Sequence, residues 1–116
     1  MLFEVDESSP VPLYLQIAAC VRRAVAEHAL APGSRLPPTR DVATELSVNV
    51  HTVQRAYGLL RDEGILDLRQ GRGAAVRSGA VPPRARLYDL IRALLEEARL
   101  QGVTLSELER LMEETS

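Results

Sequence analysis

Residues 36–76, with the sequence LPPTRDVATELSVNVHTVQRAYGLLRDEGILDLRQGRGAAV, decide the fold of this chain. The stretch contains two short helical patterns that are separated by a break at Ser47-Val48. In the first pattern, one helix face carries the apolar residues Val42, Ala43 and Leu46. Those of the second recur at i, i+3, i+4 and i+7 and are Val53, Ala56, Tyr57 and Leu60. The sequence therefore predicts two consecutive helices, each with one face turned inward.

Both ends of the second helix are indicated by local sequence. Asn49 is a favoured N-cap residue, and Val48 and Val53 have the spacing of a hydrophobic staple. Gly64 can adopt the left-handed conformation that closes a helix, and Ile65 stands where a Schellman motif packs a side chain back on the last turn. We therefore expect this helix to begin after Asn49 and to end before Gly64.

Two short extended runs, 66–69 and 74–77, flank the turn Gln-Gly-Arg-Gly and predict a β-hairpin. Residues 34–36 are too few for an independent strand, but we expect them to pair with this hairpin. An amphipathic helix is predicted over residues 13–28. The predicted fold class is therefore mainly α with a small β-hairpin: a winged helix-turn-helix domain, followed by a C-terminal two-helix dimerisation hairpin.

The face of the second helix that lies opposite its apolar stripe carries groups suited to nucleic acid. His51, Gln54 and Arg55 supply imidazole, amide and guanidinium groups, which can bind base edges and phosphates in a DNA major groove. A polar helix face is ordinarily just solvated. The wing beside it favours DNA, because its turn combines polar side chains with glycines that let the backbone approach phosphates; these residues are Arg69, Gln70, Gly71, Arg72 and Gly73.

The charge distribution agrees with a local DNA-binding surface. The chain has a formal net charge of -2, and all fourteen basic residues are arginines. Residues 1–79 contain nine arginines and nine acidic residues, whereas residues 80–116 contain five and seven, so the negative excess lies in the second segment. Residues 68–88 contain five arginines and no carboxylate. Phosphate binding requires such a local basic patch and not a basic total.

The remaining chemistry-bearing residues do not form a catalytic or metal-binding pattern. Cys20 is the single cysteine, which excludes an internal disulfide, and Cys20 and His28 lack further ligands at suitable spacing. No catalytic grouping or phosphate-binding loop is present, so we expect no enzyme activity, no cofactor and no metal. Without a signal peptide or transmembrane run, the chain is expected to be soluble and cytoplasmic. Residues 1–9 are polar and acidic, and are predicted to form a loose arm.

Residues 78–84 read as a linker, because Pro82 and Pro83 interrupt regular structure. Two amphipathic helices are predicted beyond it, over 85–101 and after Thr104, which forms a capping-box pattern with Glu107. Their broad apolar stripes are Leu87, Leu90, Ile91, Leu94 and Leu95 in the first helix, and Leu105, Leu108, Leu111 and Met112 in the second. Such stripes require a partner. We expect residues 85–116 to dimerise, with packing on the same chain's residues 1–77 as the alternative.

Several of these residues together look like the DNA-binding domain of the GntR family of bacterial transcription regulators. The matching positions are Gly33 to Pro37, Arg40, Ala43 to Leu46, Val48-Asn49, Thr52-Val53, Ala56, Leu60, Glu63-Gly64 and Gly71-Arg72-Gly73. The pair Ala56-Tyr57 and the short C-terminal extension look most like the YtrA-type subfamily. The resemblance covers residues 10–77 closely and the remainder by length and pattern.

The resemblance implies a set of DNA contacts. Arg40 would contact DNA from the start of the helix that carries Val42, Ala43 and Leu46. The first turn of the next helix would read bases through Asn49, Val50, His51 and Thr52. The wing tip, Gly71-Arg72-Gly73, would enter the minor groove. Two positions depart from the family pattern. Val50 stands where many members have arginine. Pro38 stands where members often have a serine that caps the helix carrying Val42, Ala43 and Leu46.

The resulting hypothesis is a homodimeric transcription regulator that binds double-stranded DNA, acts as a repressor on a palindromic operator and, as the resemblance implies, controls a transporter operon. The alternative is a winged-helix module that binds proteins and has lost DNA binding, which Val50 and the net acidity favour. A small-molecule effector would have room only between the winged helix and the hairpin, or between the two chains. No membrane partner is expected.

Overall fold

The computed structural model describes residues 2–69, 73–79 and 84–116. Its elements, in chain order, are α1 (Leu13–Ala26), α2 (Thr39–Leu46), α3 (Val50–Asp62), β1 (Leu66–Arg69), β2 (Gly73–Val76), α4 (Arg84–Leu100) and α5 (Leu105–Thr115). The chain divides into two compact units, Met1–Pro83 and Arg84–Ser116. The predicted mainly helical fold with one antiparallel hairpin is confirmed.

In the first unit, α3 is the central element because it packs against α1, α2 and β1. The four residues predicted to face inward on α3 are all buried, which confirms the predicted orientation of this helix. From α1, Ile17 and Val21 enter the same core and are completely buried. The predicted extension of α1 to His28 is wrong, because the helix ends at Ala26 and His28 has a left-handed φ of 62°.

The hairpin pairs Leu66 with Val76 and Arg69 with Gly73. The preceding segment joins the hairpin as expected: Arg35 bridges Ala75, and the Val76 amide donates to the Ser34 carbonyl at 2.8 Å. The second strand runs over 73–76 and so begins and ends one residue earlier than predicted. This pairing anchors the wing to the segment that leads into α2.

The expectation of a loose arm is wrong for residues 2–9. Phe3 is only 2% exposed and belongs to the hydrophobic core. The Asp6 amide donates to Gln16 Oε1 at 2.7 Å, and Gln16 Nε2 donates back to the Asp6 carbonyl at 2.9 Å. The segment is ordered against the core because its apolar residues, which alternate with acidic ones, are buried there. The overall polar composition of the segment does not reveal this alternation.

The end of α3 confirms the predicted Schellman motif. Gly64 has a φ of 79°, and the Ile65 amide donates to the Leu60 carbonyl at 2.9 Å. Ile65 is also buried, as the motif requires. The chain therefore leaves α3 in the direction that brings β1 against the core.

The second unit consists of α4 and α5. The first of these helices begins at Arg84, which the sequence had placed in the linker, and residues 80–83 of that linker lie outside the described residues. Gly102 closes α4 with a φ of 73°, and the Thr104 hydroxyl caps α5 by accepting from the Glu107 amide at 3.2 Å. Ala98 on α4 and Leu108 on α5 are buried, whereas the other residues of the predicted stripes are 40% to 64% exposed.

No helix among the described residues is long and apolar enough to cross a membrane.

Candidate nucleic-acid interface

The first turn of α3 is held by its N-cap. Asn49 has an extended backbone, and its Oδ1 accepts a hydrogen bond from the His51 amide at 2.8 Å. This bond satisfies one of the amide groups that a helix start leaves without an intrahelical partner. The accepting oxygen of Asn49 is therefore already in use, although the sequence predicted this residue as a DNA contact.

Tyr57 ties α3 to the segment before α2. Its ring is buried on the inner face of α3, and its hydroxyl donates to the Pro37 carbonyl at 2.8 Å. Burial raises the pKa of the Tyr57 phenol, because the ionised form would lose its hydration. The neutral phenol thus fixes the position of Pro37, and with it the start of α2, relative to α3.

Arg40 lies in the first turn of α2 and is exposed. Pro38 occupies the N-cap position, and no side chain caps the helix, as expected from the absence of serine there. Backbone amides at a helix start and a nearby guanidinium both attract phosphate. Arg40 is therefore accessible at a helix start, and the DNA contact implied for it by the resemblance stays a prediction.

The outward residues of α3 differ in how much of each is available. Val50 and Thr52 are half-buried, and Val50 packs against the core. His51 and Gln54 are exposed, and His51 Nδ1 lies 3.1 Å from Gln54 Oε1. These two polar residues are therefore more accessible than Val50 and Thr52.

Arg55 has a different neighbour from the one that its predicted role requires. Its guanidinium carbon lies 3.8 Å from the centre of the Tyr14 ring on α1. Stacking of this kind contributes about 0.5–1 kcal/mol at an exposed site. In this conformation Arg55 joins α3 to α1, so the structure favours a scaffold role over base reading for this residue.

A second contact joins the same two helices at the other end of α3. Arg22 of α1 donates through Nε to Glu63 Oε1 at 3.1 Å. Both side chains are about one third exposed, so this ion pair is worth no more than about 1 kcal/mol. It also offsets the negative charge of Glu63 within the first unit.

The described part of the wing ends at Arg69 on one strand and resumes at Gly73 on the other. Arg69 and Gly73 are exposed, and Gly73 has a φ of 73°. The predicted contacts Gln70, Gly71 and Arg72 lie outside the described residues. The two strands bring Arg69 and Gly73 into direct register.

Sequence reasoning missed an open cleft of about 350 Å³ between the start of α2, the middle of α3 and the wing. Thr39, Gln54, Leu68 and Arg69 are among its lining residues. Leu68 is 37% exposed there although it lies on the same strand face as the buried Leu66. The two-residue period of a strand puts Leu68 on the same face as Leu66, but this period does not reveal that the core ends before Leu68.

Comparisons with known proteins agree with this geometry. The model of the family described as bacterial regulatory proteins, gntR family, matches residues 13–76. The HTH-type transcriptional repressor YtrA of Bacillus subtilis is 28% identical over 120 residues, which cover 99% of this chain and 92% of that protein.

Two solved structures are similar as well. YtrA from Sulfolobus acidocaldarius, a GntR-family transcription factor, is 36% identical, with a TM-score of 0.66 over 82% of this chain and 99% of that one. The DNA-binding domain of AraR in complex with operator ORX1 is 25% identical, with a TM-score of 0.59 over 64% of this chain and 95% of that one.

Proposed function

This chain belongs to the GntR family of bacterial regulatory proteins, in its YtrA-type subfamily, and we propose that it is a homodimeric repressor of a palindromic operator. It is a DNA-binding transcription regulator and not an enzyme. The observation that carries this proposal is the exposed polar face of α3, whose Gln54 lines the same cleft as Thr39 at the start of α2 and Arg69 of the wing. In this proposal residues 1–77 form the DNA-binding domain and residues 85–116 form the dimerisation hairpin.

The proposed DNA contacts divide by chemistry. Arg40, Arg69 and Arg72 neutralise phosphates or enter the minor groove, where guanidinium groups bind well. The face of α3 enters the major groove with His51 and Gln54. Exposure of Arg40, His51, Gln54 and Arg69 supports this division.

The proposed dimer rests on the exposed apolar residues of the second unit. Leu87, Leu90, Ile91, Leu94, Leu95, Leu105, Leu111 and Met112 are all 40% or more exposed. A single leucine at a surface is ordinary, but two adjoining helices that each expose such a stripe mark an interaction surface. A second copy of the chain is the proposed partner, since two-fold pairing is the commonest oligomer form and would present two α3 helices to two half-sites.

The proposal has three further parts. The protein represses transcription, its target is a transporter operon, and it acts in the cytoplasm. Repression is supported by the name of the Bacillus subtilis relative, a transcriptional repressor. An open apolar groove of about 480 Å³ within the second unit is lined in part by Leu94, Leu108, Leu111 and Met112. Its proposed occupant is the second chain, and the proposal requires no small-molecule effector.

The test is selection of bound duplexes from random DNA, followed by affinity measurements on the selected site and a scrambled duplex over a range of salt concentrations. We expect a palindromic site, tighter binding to it than to the scrambled duplex, and a stoichiometry of two chains per site. Equal affinity for both duplexes at every salt concentration would contradict sequence-specific binding.

A protein-binding module without DNA binding is the competing function, favoured by Val50 in place of arginine. Val50 is half-buried against the core and has no charged group to offer to a base or a phosphate. Under this alternative, the selection experiment would return no enriched duplex, whereas the exposed face of α3 would still be needed for a protein partner.

A further inference from the structure

The outer face of α3 contains a pair of polar side chains that contact one another. His51 Nδ1 and Gln54 Oε1 lie 3.1 Å apart, and both residues are exposed in the first two turns of the helix. Residues three apart on a helix are neighbours on its surface, so this contact matches the geometry of the backbone.

The neighbouring candidates on α3 are engaged elsewhere. Asn49 Oδ1 caps the helix, Arg55 stacks on Tyr14, and Val50 packs against the core. His51 and Gln54 are therefore the exposed polar residues of this face whose side chains contact one another.

The contact restricts which hydrogen-bonding groups the two side chains present. A carbonyl oxygen carries no hydrogen, so a hydrogen bond between these atoms requires the proton to be on Nδ1 of the imidazole. In the neutral ring, Nε2 is then an acceptor. The bond occupies one of the two lone pairs of Gln54 Oε1 on the side of His51, and it leaves both N–H donors of the amide available. The pair offers one acceptor beside two donors.

We propose that His51 and Gln54 form a single reading unit that selects one orientation of a G·C base pair in each half-site. This inference rests on the proposed function, because it requires α3 to lie in a major groove. Guanine presents two acceptors, N7 and O6, and its paired cytosine presents the N4 donor. The order acceptor, donor, donor in the protein complements cytosine opposite His51 and guanine opposite Gln54.

Other base pairs fit this unit less well. The reversed pair places acceptor against acceptor and donor against donor. An A·T pair alternates acceptor, donor and acceptor, so it satisfies fewer of the three groups. A glutamine whose oxygen is not engaged prefers adenine, because its oxygen and its amide group can then bind N6 and N7 together. His51 thus redirects Gln54 from adenine to guanine.

The first test measures the tautomer of His51 in the full chain without DNA. Nitrogen-15 NMR at about pH 8, above the usual titration range of imidazoles, distinguishes a proton on Nδ1 from one on Nε2. We expect the Nδ1–H form in the wild type and a shift toward Nε2–H in Gln54→Ala. His28 is an internal reference and should not change. The same tautomer of His51 in both proteins would overturn the inference.

The second test is duplex selection with wild type, His51→Ala, Gln54→Ala and the double variant. We expect the wild type to prefer G·C over A·T at one position of each half-site on the order of tenfold. The His51→Ala variant should prefer A·T at that same position, and Gln54→Ala should lose discrimination there. Arg61→Ala, on the last turn of α3, is the matched control and should return the wild-type site.

The outcomes separate the two levels of inference. If the wild type enriches no duplex, the proposed function fails. If it enriches a palindrome but His51→Ala and Gln54→Ala alter different positions, or His51→Ala keeps the preference for G·C, the paired reading unit is wrong and the proposed function stands. Circular dichroism and melting temperature of the variants are the controls for folding. Values equal to those of the wild type would show that the substitutions act on recognition and not on folding.

Discussion

Arg40 is a single exposed guanidinium at the start of α2, and its contribution to DNA binding can be measured separately. We expect Arg40→Ala to weaken binding to all duplexes similarly, because a phosphate contact carries no sequence information. The slope of log affinity against log salt should decrease by about one if one phosphate contact is lost. The measurement is affinity over a salt series.

The matched control for Arg40 is Arg23→Ala, which removes the same charge from an exposed position on α1. Its slope should stay at the wild-type value. An unchanged slope for Arg40→Ala would remove this residue from the set of phosphate contacts.

Gly64 and Gly58 provide opposite predictions for the same substitution. Gly64 has a φ of 79°, so Gly64→Ala should lower the free energy of unfolding by about 1–2 kcal/mol, the usual cost of a left-handed alanine. Gly58 lies inside α3, and an added Cβ would meet only Arg61 Nη2 at 3.9 Å. Gly58→Ala should therefore raise the free energy of unfolding by about 0.5–1 kcal/mol. Urea denaturation measures both; a stabilised Gly64→Ala would contradict the role of Gly64.

At the scale of elements, α3 is positioned by side-chain contacts with its neighbours. Tyr57 binds the Pro37 carbonyl, Arg55 stacks on Tyr14, and Glu63 pairs with Arg22. Each contact alone is modest in energy. Together they hold the predicted reading face of α3 in a defined relation to α1 and to the start of α2, which DNA recognition requires.

Tyr57→Phe should show how the buried phenol links stability to pH. At about pH 7 the variant should be less stable by about 1 kcal/mol, because the Pro37 carbonyl loses its donor. The pKa of Tyr57 is raised in the folded protein, so the unfolded chain loses its proton first as the pH passes the ordinary value of 10.0. The wild type should then lose stability that the variant keeps.

The measurement for Tyr57→Phe is the free energy of unfolding of both proteins from neutral to strongly alkaline pH. The difference in free energy of unfolding between the wild type and Tyr57→Phe should narrow above about pH 10, the ordinary pKa of tyrosine. A gap that stays constant over this range would show that Tyr57 does not ionise differently in the folded and unfolded states.

At the scale of the whole molecule, the exposed stripes of α4 and α5 are proposed to join two chains. Leu94 is 40% exposed, lies centrally in the stripe of α4 and also lines the groove of the second unit. Leu94→Asp should convert the dimer to a monomer, because a charge buried in an apolar interface costs several kcal/mol. Affinity for the palindromic site should fall by about 10²-fold when the two half-sites are no longer bound together.

Ala93→Asp is the control for this substitution, since Ala93 is exposed one residue away and outside the stripe. It places the same charge in the same helix, so it should leave both the dimer and the affinity intact. Light scattering and operator titration measure these two properties. A Leu94→Asp protein that stays dimeric would place the interface elsewhere.

Much of the architecture was predictable because its causes are local. The inward stripe of α3, the cap at Asn49 and the closures at Gly64 and Gly102 depend on residues within a few positions of one another. Helical periodicity, N-capping and the left-handed conformation of glycine act over that range, so the order of residues was sufficient to predict them. The same holds for the candidates Arg40, His51 and Gln54, whose exposure follows from the helix on which they lie.

The features that only the tertiary structure decided involve residues far apart in the chain. The burial of Phe3, the stack of Arg55 on Tyr14 and the cleft beside Leu68 depend on which surfaces of α1, α3 and the wing come together. Local pattern shows which face of an element turns inward, but it does not show where the core ends or which distant side chain completes a contact. Those outcomes follow from packing in three dimensions, where the shape of every element determines what its neighbours can reach.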